Sequence, residues 1–444
     1  MLIQKLPNEL VDQIISLCLS AEWDHDVNLR THMDYKTALS LMLTCKTINK
    51  LVKPILYEHV TLKSCISANV EQGFPALESC GDLVGSFDFP LDMTAGLSVV
   101  SRTLLLAATM LEKLPNLRKL HIPSIFFGYH HLRPSQRDTL VKLEIDSICH
   151  SFTASHLLDL LSHPKLRFLR LKKGSCLTYN NNNLAEPLIQ NTILESIEIG
   201  GPDMPCEISP LIAAMVARCK NLKTVRWYYY PQGLALSRNE TTGAGIISMS
   251  QILEPVSPTL ETLCLYPMTK DEANSLFWWR DIAQSLDLSE FTALQHLAVN
   301  SMFFLPLRAV SLSAPTPGFY KHLPKSLKTL NLYFRRDQCD TFLESKIIEE
   351  IQKRGLPEDA EISSEVVKYV EEQFRWATEL VEQKALGNFA LETITLIGPP
   401  FPDHGTKPAL MSVPPPTHLE SIFSACKSVG IRVNFCMSLD MGST

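Results

Sequence analysis

The chain lacks the features that mark several classes of protein. Its 444 residues contain no C-x-x-C pair among 12 cysteines, no apolar run long enough to span a membrane and no secretory signal, since polar residues follow Met1-Leu2-Ile3 at once. The formal net charge of -6 argues against a protein that coats nucleic acid or anionic lipid. We therefore expect reduced, buried thiols in a cytoplasmic or nuclear protein that binds neither nucleic acid nor membrane.

Signatures of enzymes and of metal sites are missing too. Gly243-Ala244-Gly245 lacks the preceding strand and the third glycine of a dinucleotide-binding loop, and there is no P-loop, G-x-S-x-G elbow or H-E-x-x-H pair. Asp24-His25-Asp26 and His130-His131 have no further ligands at useful spacing, so we interpret them as surface residues. The sequence therefore predicts no cofactor, no metal and no catalytic residue.

A repeated pattern is present instead. Beyond residue 80, L-x-x-L-x-L recurs with other aliphatic residues or Trp allowed; its copies begin at Leu117, Leu140, Leu166, Leu194, Leu222, Leu260, Leu294, Leu327 and Leu391. Short phrases such as "LPNL", "SPTL" and "PKSL" introduce many copies, and their Pro, Asn and Ser residues end a helix and turn the chain into a strand. Helix, turn and short strand in repetition are typical of a leucine-rich-repeat solenoid.

The predicted fold class is therefore α/β, with parallel strands on a concave face, helices outside and a core that includes Trp227. The repeats are expected over residues 63–444, with a helical insertion at about 340–388 and a Pro-rich loop at 399–417. The insertion has an apolar stripe that includes Phe374, Ala377 and Leu380. We favour a stripe packed on the solenoid over a second protein-binding surface, because amphipathic helices usually bury their own stripe.

The first 62 residues have a different, helical pattern. Leu6-Pro7-Asn8-Glu9-Leu10 starts a helix well, because Pro suits a first turn and Glu9 favours the positive end of the helix dipole. A second amphipathic segment follows at 38–52, Pro54 is expected to end it, and a strand is expected from Val60 to Leu62.

This arrangement resembles an F-box, at residues 1–62. The matching residues are Leu6, Pro7, Glu9, Leu10, Ile14, Ile15, Cys45, Lys46, Pro54 and Leu56. The resemblance implies that they form a docking face for the Skp adaptor, which links F-box proteins to a cullin scaffold. The chain departs from the family in the long polar segment at 22–36 and in Ile48, which stands where many members have an aromatic residue. An F-box followed directly by irregular repeats is similar to the layout of many proteins of filamentous fungi.

The residues that alternate with the buried positions of each strand are predicted to face outward. Arginine and tyrosine are common among them, and both are enriched at the energetic centres of protein interfaces. Our hypothesis is that Arg170, Lys172, Arg226, Tyr228, Tyr266 and Tyr333 capture a target protein, with an acidic or phosphorylated segment as a candidate ligand. The alternative is that they are only the tolerated polar side of the strands.

The resemblance implies a substrate-recognition adaptor of an SCF-type cullin ubiquitin ligase, in which the F-box binds the Skp adaptor and the repeats bind an unknown target. Such an adaptor accelerates transfer by proximity and performs no covalent chemistry itself. Two non-catalytic alternatives remain, a leucine-rich-repeat scaffold and a Skp-binding protein outside any ligase. An enzyme with an unrecognised loop site is the weakest alternative.

Overall fold

The computed structural model describes residues 40–44, 46–61, 79–88, 109–124, 132, 134–147, 161–171, 193–200, 215–229, 249–267, 286–301, 304, 318–334, 374–398, 410–412 and 419–438. The chain divides into two compact units, Met1–Asp146 and Ser147–Thr444. The predicted adaptor contacts from Leu6 to Ile15 lie outside the described residues, as do Cys45 and Lys172.

The first unit combines short strands with one longer described helix. Its elements in chain order are α1 (Lys46–Glu58), β1 (His59–Thr61), a 3-10 turn (Gly81–Leu83), β2 (Ser86–Asp88), β3 (Lys119–Ser124), α2 (Pro134–Thr139) and β4 (Lys142–Ser147). The strand order is β1-β2-β3-β4, and β2 pairs in parallel with both β1 and β3. The strand that the sequence predicts from Val60 begins one residue earlier, at His59.

Helix α1 corrects the prediction that Pro54 ends the second helical segment. Pro54 lies inside the helix, which continues to Glu58. A proline inside a helix removes one backbone hydrogen bond, so burial must compensate for it. Val52 and Leu56 on this helix are 0% and 7% exposed and form the centre of an apolar cluster with neighbouring residues. The burial of Val52 and Leu56 therefore keeps α1 helical through Pro54.

The second unit consists of strands with short helices between them. Its elements are β5 (Phe168–Leu171), β6 (Ser196–Ile199), β7 (Thr224–Tyr229), α3 (Met249–Leu253), a 3-10 turn (Glu254–Val256), β8 (Thr262–Pro267), β9 (His296–Asn300), a 3-10 turn (Phe319–His322), β10 (Thr329–Tyr333), α4 (Arg375–Ala385), β11 (Thr393–Gly398), β12 (Leu410–Ser412), α5 (Glu420–Ser428) and β13 (Arg432–Ser438).

These strands form an open sheet in the order β5-β6-β7-β8-β9-β10-β11-β13-β12. Neighbours pair in parallel from β5 to β13, as the repeat pattern predicts. Strand β12 alone pairs antiparallel, with β13. The sequence analysis missed β12, because it lies in the Pro-rich segment 399–417 that was expected to be a loop in extended or polyproline conformation.

The L-x-x-L-x-L positions align across the parallel strands into two buried rows. The rows are Leu169, Ile197, Val225, Leu263, Leu297, Leu330 and Ile394, and Leu171, Ile199, Trp227, Leu265, Val299, Leu332 and Leu396. None of these side chains is more than 3% exposed. Burial of one such side chain stabilises the fold by roughly 1.5–3 kcal/mol. The core is therefore continuous along the unit, and the prediction that Trp227 is a core residue is confirmed.

The lead-in phrases join each repeat to the one before it. The Thr259 hydroxyl donates to the carbonyl of Leu222 at 3.0 Å, and the Ser326 hydroxyl donates to the carbonyl of Leu294 at 2.8 Å. The backbone carbonyl of Lys223 accepts from the N–H groups of Glu261 and Thr262 at 2.8 and 2.9 Å. Hydroxyl residues at the lead-in positions thus satisfy carbonyls that the preceding turn leaves without a strand partner.

Helix α4 lies in the segment predicted to be a helical insertion. Its residues Trp376 and Leu380 are 3% and 0% exposed. The Trp376 ring contacts Phe319 edge to face, with the ring centroids 5.7 Å apart. Trp376 also lines a small apolar pocket together with Leu396 of β11 and Phe423 of α5. The described part of the predicted apolar stripe is therefore covered by residues of its own unit.

Candidate protein-binding surface

The strand residues between the buried rows form polar and aromatic rows on the other side of the sheet. One row in the second unit consists mainly of hydroxyl side chains: Phe168, Ser196, Thr224, Thr262, His296, Thr329 and Thr393. The next row begins with Arg170, Glu198, Arg226 and Cys264. Beyond it, Tyr228 pairs in register with Tyr266. We use the name Arg–Tyr surface for Arg170, Glu198, Arg226, Tyr228, Cys264, Tyr266 and Tyr333.

The tyrosines of the Arg–Tyr surface contact one another through their rings. The rings of Tyr228 and Tyr266 are stacked, with centroids 4.7 Å apart and an interplanar angle of 25°. Tyr333 meets Tyr266 edge to face at 5.4 Å. Tyr266 and Tyr333 come from β8 and β10, so their rings meet over β9, where Asn300 is only 1% exposed. Each such ring pair contributes about 0.5–1.5 kcal/mol beyond its area burial, so the rings are held in place.

The tyrosine hydroxyls of this surface stay protonated at neutral pH. Burial raises the pKa of Tyr228 and of Tyr333 to about 12, and it raises the pKa of Tyr266 further. Burial also raises the pKa of the Cys264 thiol, although a hydrogen bond with Tyr266 acts in the opposite direction. The tyrosines of the Arg–Tyr surface are therefore neutral, the Cys264 thiol beside them is only 8% exposed, and the charge of the surface comes from its arginines and glutamate.

Two arginines of the Arg–Tyr surface share one carboxylate. Arg170 Nη2 lies 2.8 Å from Glu198 Oε1, and Arg226 Nη1 lies 4.0 Å from Glu198 Oε2. The side chain of Glu198 is 15% exposed, whereas that of Arg226 is 53% exposed. Burial lowers the pKa of Arg226, but Cys264, Glu198 and the tyrosines together raise it above its usual value. Arg226 is therefore a fixed cation that is accessible to a partner.

The same side of the strands in the first unit is polar and pairs with itself. His59 Nδ1 lies 2.8 Å from the Ser86 hydroxyl oxygen, and His121 forms an ion pair with Asp88. Burial lowers the pKa of His59 below 6.5, so its imidazole is neutral at pH 7. Within the described ranges, no group of three or more His, Cys, Asp or Glu side chains is arranged to hold a metal ion.

The structure brings together most of the residues that the sequence predicts to bind a target. Arg226, Tyr228 and Tyr266 are direct neighbours, and Tyr333 joins them across β9. Arg170 reaches the cluster through Glu198. The sequence analysis assigned no role to Glu198, although its outward position in the repeat between those of the two arginines was a signal that could have identified it.

The described part of the predicted adaptor-docking segment divides into exposed and buried residues. Lys46 and Pro54 are exposed, whereas Leu56 is 7% exposed and packs against Val52. Leu56 therefore holds α1 in its own unit. Leu43, which the prediction does not include, is 87% exposed. A single exposed leucine is common on protein surfaces, so the exposure of Leu43 makes it accessible to a partner without showing that it binds one.

Comparison with protein families identifies a leucine-rich repeat domain at residues 203–357, about a third of the chain. This range contains β7 to β10, and with them Arg226 and all the tyrosines of the Arg–Tyr surface. No curated protein matches the chain. The open parallel sheet fits a leucine-rich-repeat solenoid of the α/β type, and such domains are typically non-catalytic modules that bind proteins. Among the described helices, none is long and apolar enough to cross a membrane.

Proposed function

We propose that this chain is the substrate-recognition adaptor of an SCF-type cullin ubiquitin ligase. Its first 62 residues dock on the Skp adaptor, and the leucine-rich repeats hold a target protein. The observation that carries the proposal is the Arg–Tyr surface, a preorganised cluster on the strand side of a leucine-rich-repeat sheet. The F-box-like residues that precede the repeats support the identity of the second partner.

The Arg–Tyr surface has the chemistry of an interface centre. Tyrosine and arginine are enriched among the residues that dominate the free energy of protein binding. Tyr228 and Tyr266 are held against each other by stacking, so little side-chain entropy is lost when a partner covers them. The hydroxyl row that ends at Thr393 provides a polar border beside the aromatic centre. These properties favour capture of a protein over binding of a small molecule.

The adaptor end of the proposal is supported by the way in which α1 joins the first strand. Glu58 ends α1 and His59 starts β1 with no residue between them. The Gly85 N–H donates to the Glu58 carbonyl at 3.0 Å, which ties this junction to the next repeat. An adaptor docked on α1 would therefore hold the first strand at a defined distance.

Adaptor docking can be tested by coprecipitation of the full chain with a purified Skp adaptor. We propose that Leu43, which is 87% exposed beside the predicted docking residues Cys45 and Lys46, belongs to the docking face, so Leu43→Asp should weaken coprecipitation because it would bury a charge in the contact. Leu386→Asp is the matched control, since Leu386 is 71% exposed on the second unit. Retained adaptor binding by Leu43→Asp and by a variant with charged residues at Leu6, Pro7 and Ile14 would show that the F-box assignment is wrong.

A second readout decides whether the adaptor belongs to a ligase. If the chain binds the Skp adaptor and the complex also contains a cullin, the ligase proposal stands. If it binds the Skp adaptor but never a cullin, the chain is a Skp-binding protein outside any ligase.

Target capture needs its own experiment, because it uses the other unit. Crosslinking and mass spectrometry of wild-type protein should recover partners that an Arg226→Ala/Tyr228→Ala variant loses by at least about tenfold, the effect typical of residues at an interface centre. Arg432→Ala is the matched control, because Arg432 is also an exposed outward arginine, on β13. Equal recovery by all of these proteins would argue that the outward residues are only a tolerated polar side of the strands.

A further inference from the structure

The rings of Tyr228, Tyr266 and Tyr333 form a continuous patch, which we call the tyrosine platform. We propose that the tyrosine platform binds a proline-rich segment in the polyproline II conformation, with prolines three residues apart, and that the Tyr228 hydroxyl donates a hydrogen bond to a backbone carbonyl of this segment. The inference rests on the proposed capture of a target protein and narrows it, because it names the kind of segment that the target presents.

The tyrosine platform runs across the strands. Tyr228 and Tyr266 are neighbours in register on β7 and β8, and Tyr333 of β10 pairs with Asn300 of the intervening strand β9. A segment on the platform cannot join the sheet as a further strand, because the backbones of β7 to β10 already bond to one another. A polyproline II segment needs no such pairing, since this conformation has no internal hydrogen bonds and a solvated backbone.

The length of the tyrosine platform suits one turn of this helix. The ring centroid of Tyr266 lies 4.7 Å from that of Tyr228 and 5.4 Å from that of Tyr333, so the two outer centroids are at most about 10 Å apart. Three residues of polyproline II make one turn and advance about 9.3 Å. One turn therefore covers the platform, and two prolines three residues apart face it together.

Polar groups at the Tyr228 end of the platform supply hydrogen-bond donors. Burial raises the pKa of Tyr228 to about 12, so its hydroxyl keeps its proton at pH 7. Arg226, two residues earlier on β7, has a guanidinium that can only donate, and its side chain is 53% exposed. The carboxylate of this surface, Glu198, is 15% exposed and lies 2.8 Å from Arg170. A partner at this end therefore meets donors more readily than an ionised acceptor.

A proline-rich segment complements the rings and the donors together. Proline has no backbone N–H, so the segment presents carbonyl acceptors and few donors that need a partner. Its side chains are apolar and pack on aromatic rings, as in grooves that bind polyproline II segments. Stacking fixes the rings of Tyr228 and Tyr266 before binding, and proline fixes its own φ, so little entropy is lost on either side. An acidic or phosphorylated side chain would use Arg226 and not the rings.

Peptide selection on the intact protein tests the inference. Wild-type full chain should select, from a library of random peptides that includes phosphoserine, sequences with prolines three residues apart. Replacement of both prolines by alanine should lower the affinity of a selected peptide at least about tenfold. A permuted peptide with the same composition and a different proline spacing should lose as much. Both comparisons use the wild-type protein, so neither depends on the folding of a variant.

Variants of the protein test the contact at Tyr228. Tyr228→Phe keeps the ring and removes the hydroxyl, so it should lower affinity for the selected peptide about fivefold. Tyr228→Ala removes both and should lower affinity at least about thirtyfold. Tyr320→Phe is the matched control and should bind as the wild type does, because Tyr320 is also partly exposed but belongs to the 3-10 turn Phe319–His322. Unchanged affinity of Tyr228→Phe would contradict the assigned hydrogen bond.

The outcomes separate this inference from the proposed function. Selection of acidic or phosphorylated peptides without this proline spacing would overturn the inference, as would equal affinity for the permuted peptide. If no peptide is selected but crosslinked partners still depend on Arg226 and Tyr228, target capture stands and the proline-rich inference is wrong. If neither peptides nor partners depend on these residues, both are wrong.

Discussion

The strands of the two units have the same pattern of buried residues and differ in the side chains that face outward. In the first unit the outward side chains pair with one another, as in the ion pair of Asp88 with His121. In the second unit the outward side is dominated by Tyr228, Tyr266 and Tyr333, whose rings pack together beside an exposed arginine. Polar side chains that already bond to each other gain little free energy from contact with a partner. A fixed aromatic patch gains more, because a partner can cover it.

The comparison indicates that the core and the proposed binding surface are formed by different residues of the same strands. The buried residues Leu120 and Leu263 are 1% and 0% exposed, and either could serve in the other unit. The residue after each of them, His121 in the first unit and Cys264 in the second, points to the other side of its strand. Strands of this kind can therefore keep one core while one unit stays polar and the other becomes a binding surface.

The largest expected effect is on stability, and it tests the buried leucine position that the strands of both units have. Leu120→Ala and Leu263→Ala should each lower the free energy of unfolding by about 2–5 kcal/mol, because both remove buried methyl groups from a packed row. Denaturant unfolding of each variant measures this. Thr262→Ala, at an outward position next to Leu263, is the control and should cost far less. A cost below about 1 kcal/mol in only one unit would show that the two cores are not equivalent.

The next effect tests the difference between the outward sides. Tyr266→Ala should weaken target binding by about 2 kcal/mol, roughly 30-fold, because Tyr266 contacts both Tyr228 and Tyr333. His121→Ala, at an outward position of the first unit, should leave target binding unchanged. Affinity of the crosslinked partner or the selected peptide for each variant measures this. Equal loss in both variants would mean that recognition is not confined to the second unit.

Much of this architecture was predictable from the sequence. The two-residue alternation and the L-x-x-L-x-L spacing predict which side chains are buried, because both follow from strand geometry that every repeat shares. Lead-in phrases such as "SPTL" were predicted to turn the chain, and the structure adds the hydrogen bond that Thr259 of this phrase donates to the preceding repeat. The side chains that one strand buries can therefore be predicted well from a single sequence.

The contacts that depend on register between distant strands were not predictable. The repeat position of Glu198 was visible in the sequence, but its contacts with Arg170 and Arg226, 28 residues before and after it, depend on the register of three paired strands. Pro54 was expected to end a helix, but burial of Val52 and Leu56 outweighs the lost hydrogen bond. Strand β12 owes its structure to pairing with β13, and the local sequence has no strong strand signal.

A smaller effect concerns how the stability of the two units depends on pH. The pKa of His59 lies below its ordinary value of 6.5 because burial disfavours the charged imidazole; Asp88, Lys119 and Glu58 modify this shift. The unfolded chain therefore binds a proton at higher pH than the folded chain does. The stabilisation is complete above pH 6.5 and is lost as pH falls towards the folded pKa.

Hydrogen exchange measured peptide by peptide can detect this local loss. Between pH 7.5 and 5.5, after correction for the intrinsic rate, protection should fall in peptides that contain β1 and β2. It should change less in peptides that contain β7 and β8. His59→Asn should remove most of the pH dependence of the first unit. An unchanged pH dependence in that variant would assign the effect to another group and show that this prediction is wrong.

The smallest effect concerns charges at the entry to the strands of the second unit. Lys223 Nζ lies 3.7 Å from Glu261 Oε1, and these side chains are 52% and 48% exposed. Solvent screens such a pair, so Lys223→Ala should change the free energy of unfolding by no more than about 0.5 kcal/mol. A double-mutant cycle with Glu261→Ala, repeated at high salt, measures the coupling. A coupling energy as large as the cost of truncating a buried leucine would mean that surface charges help to set the register of the strands. A coupling energy near zero would leave that role to the buried residues of the strands.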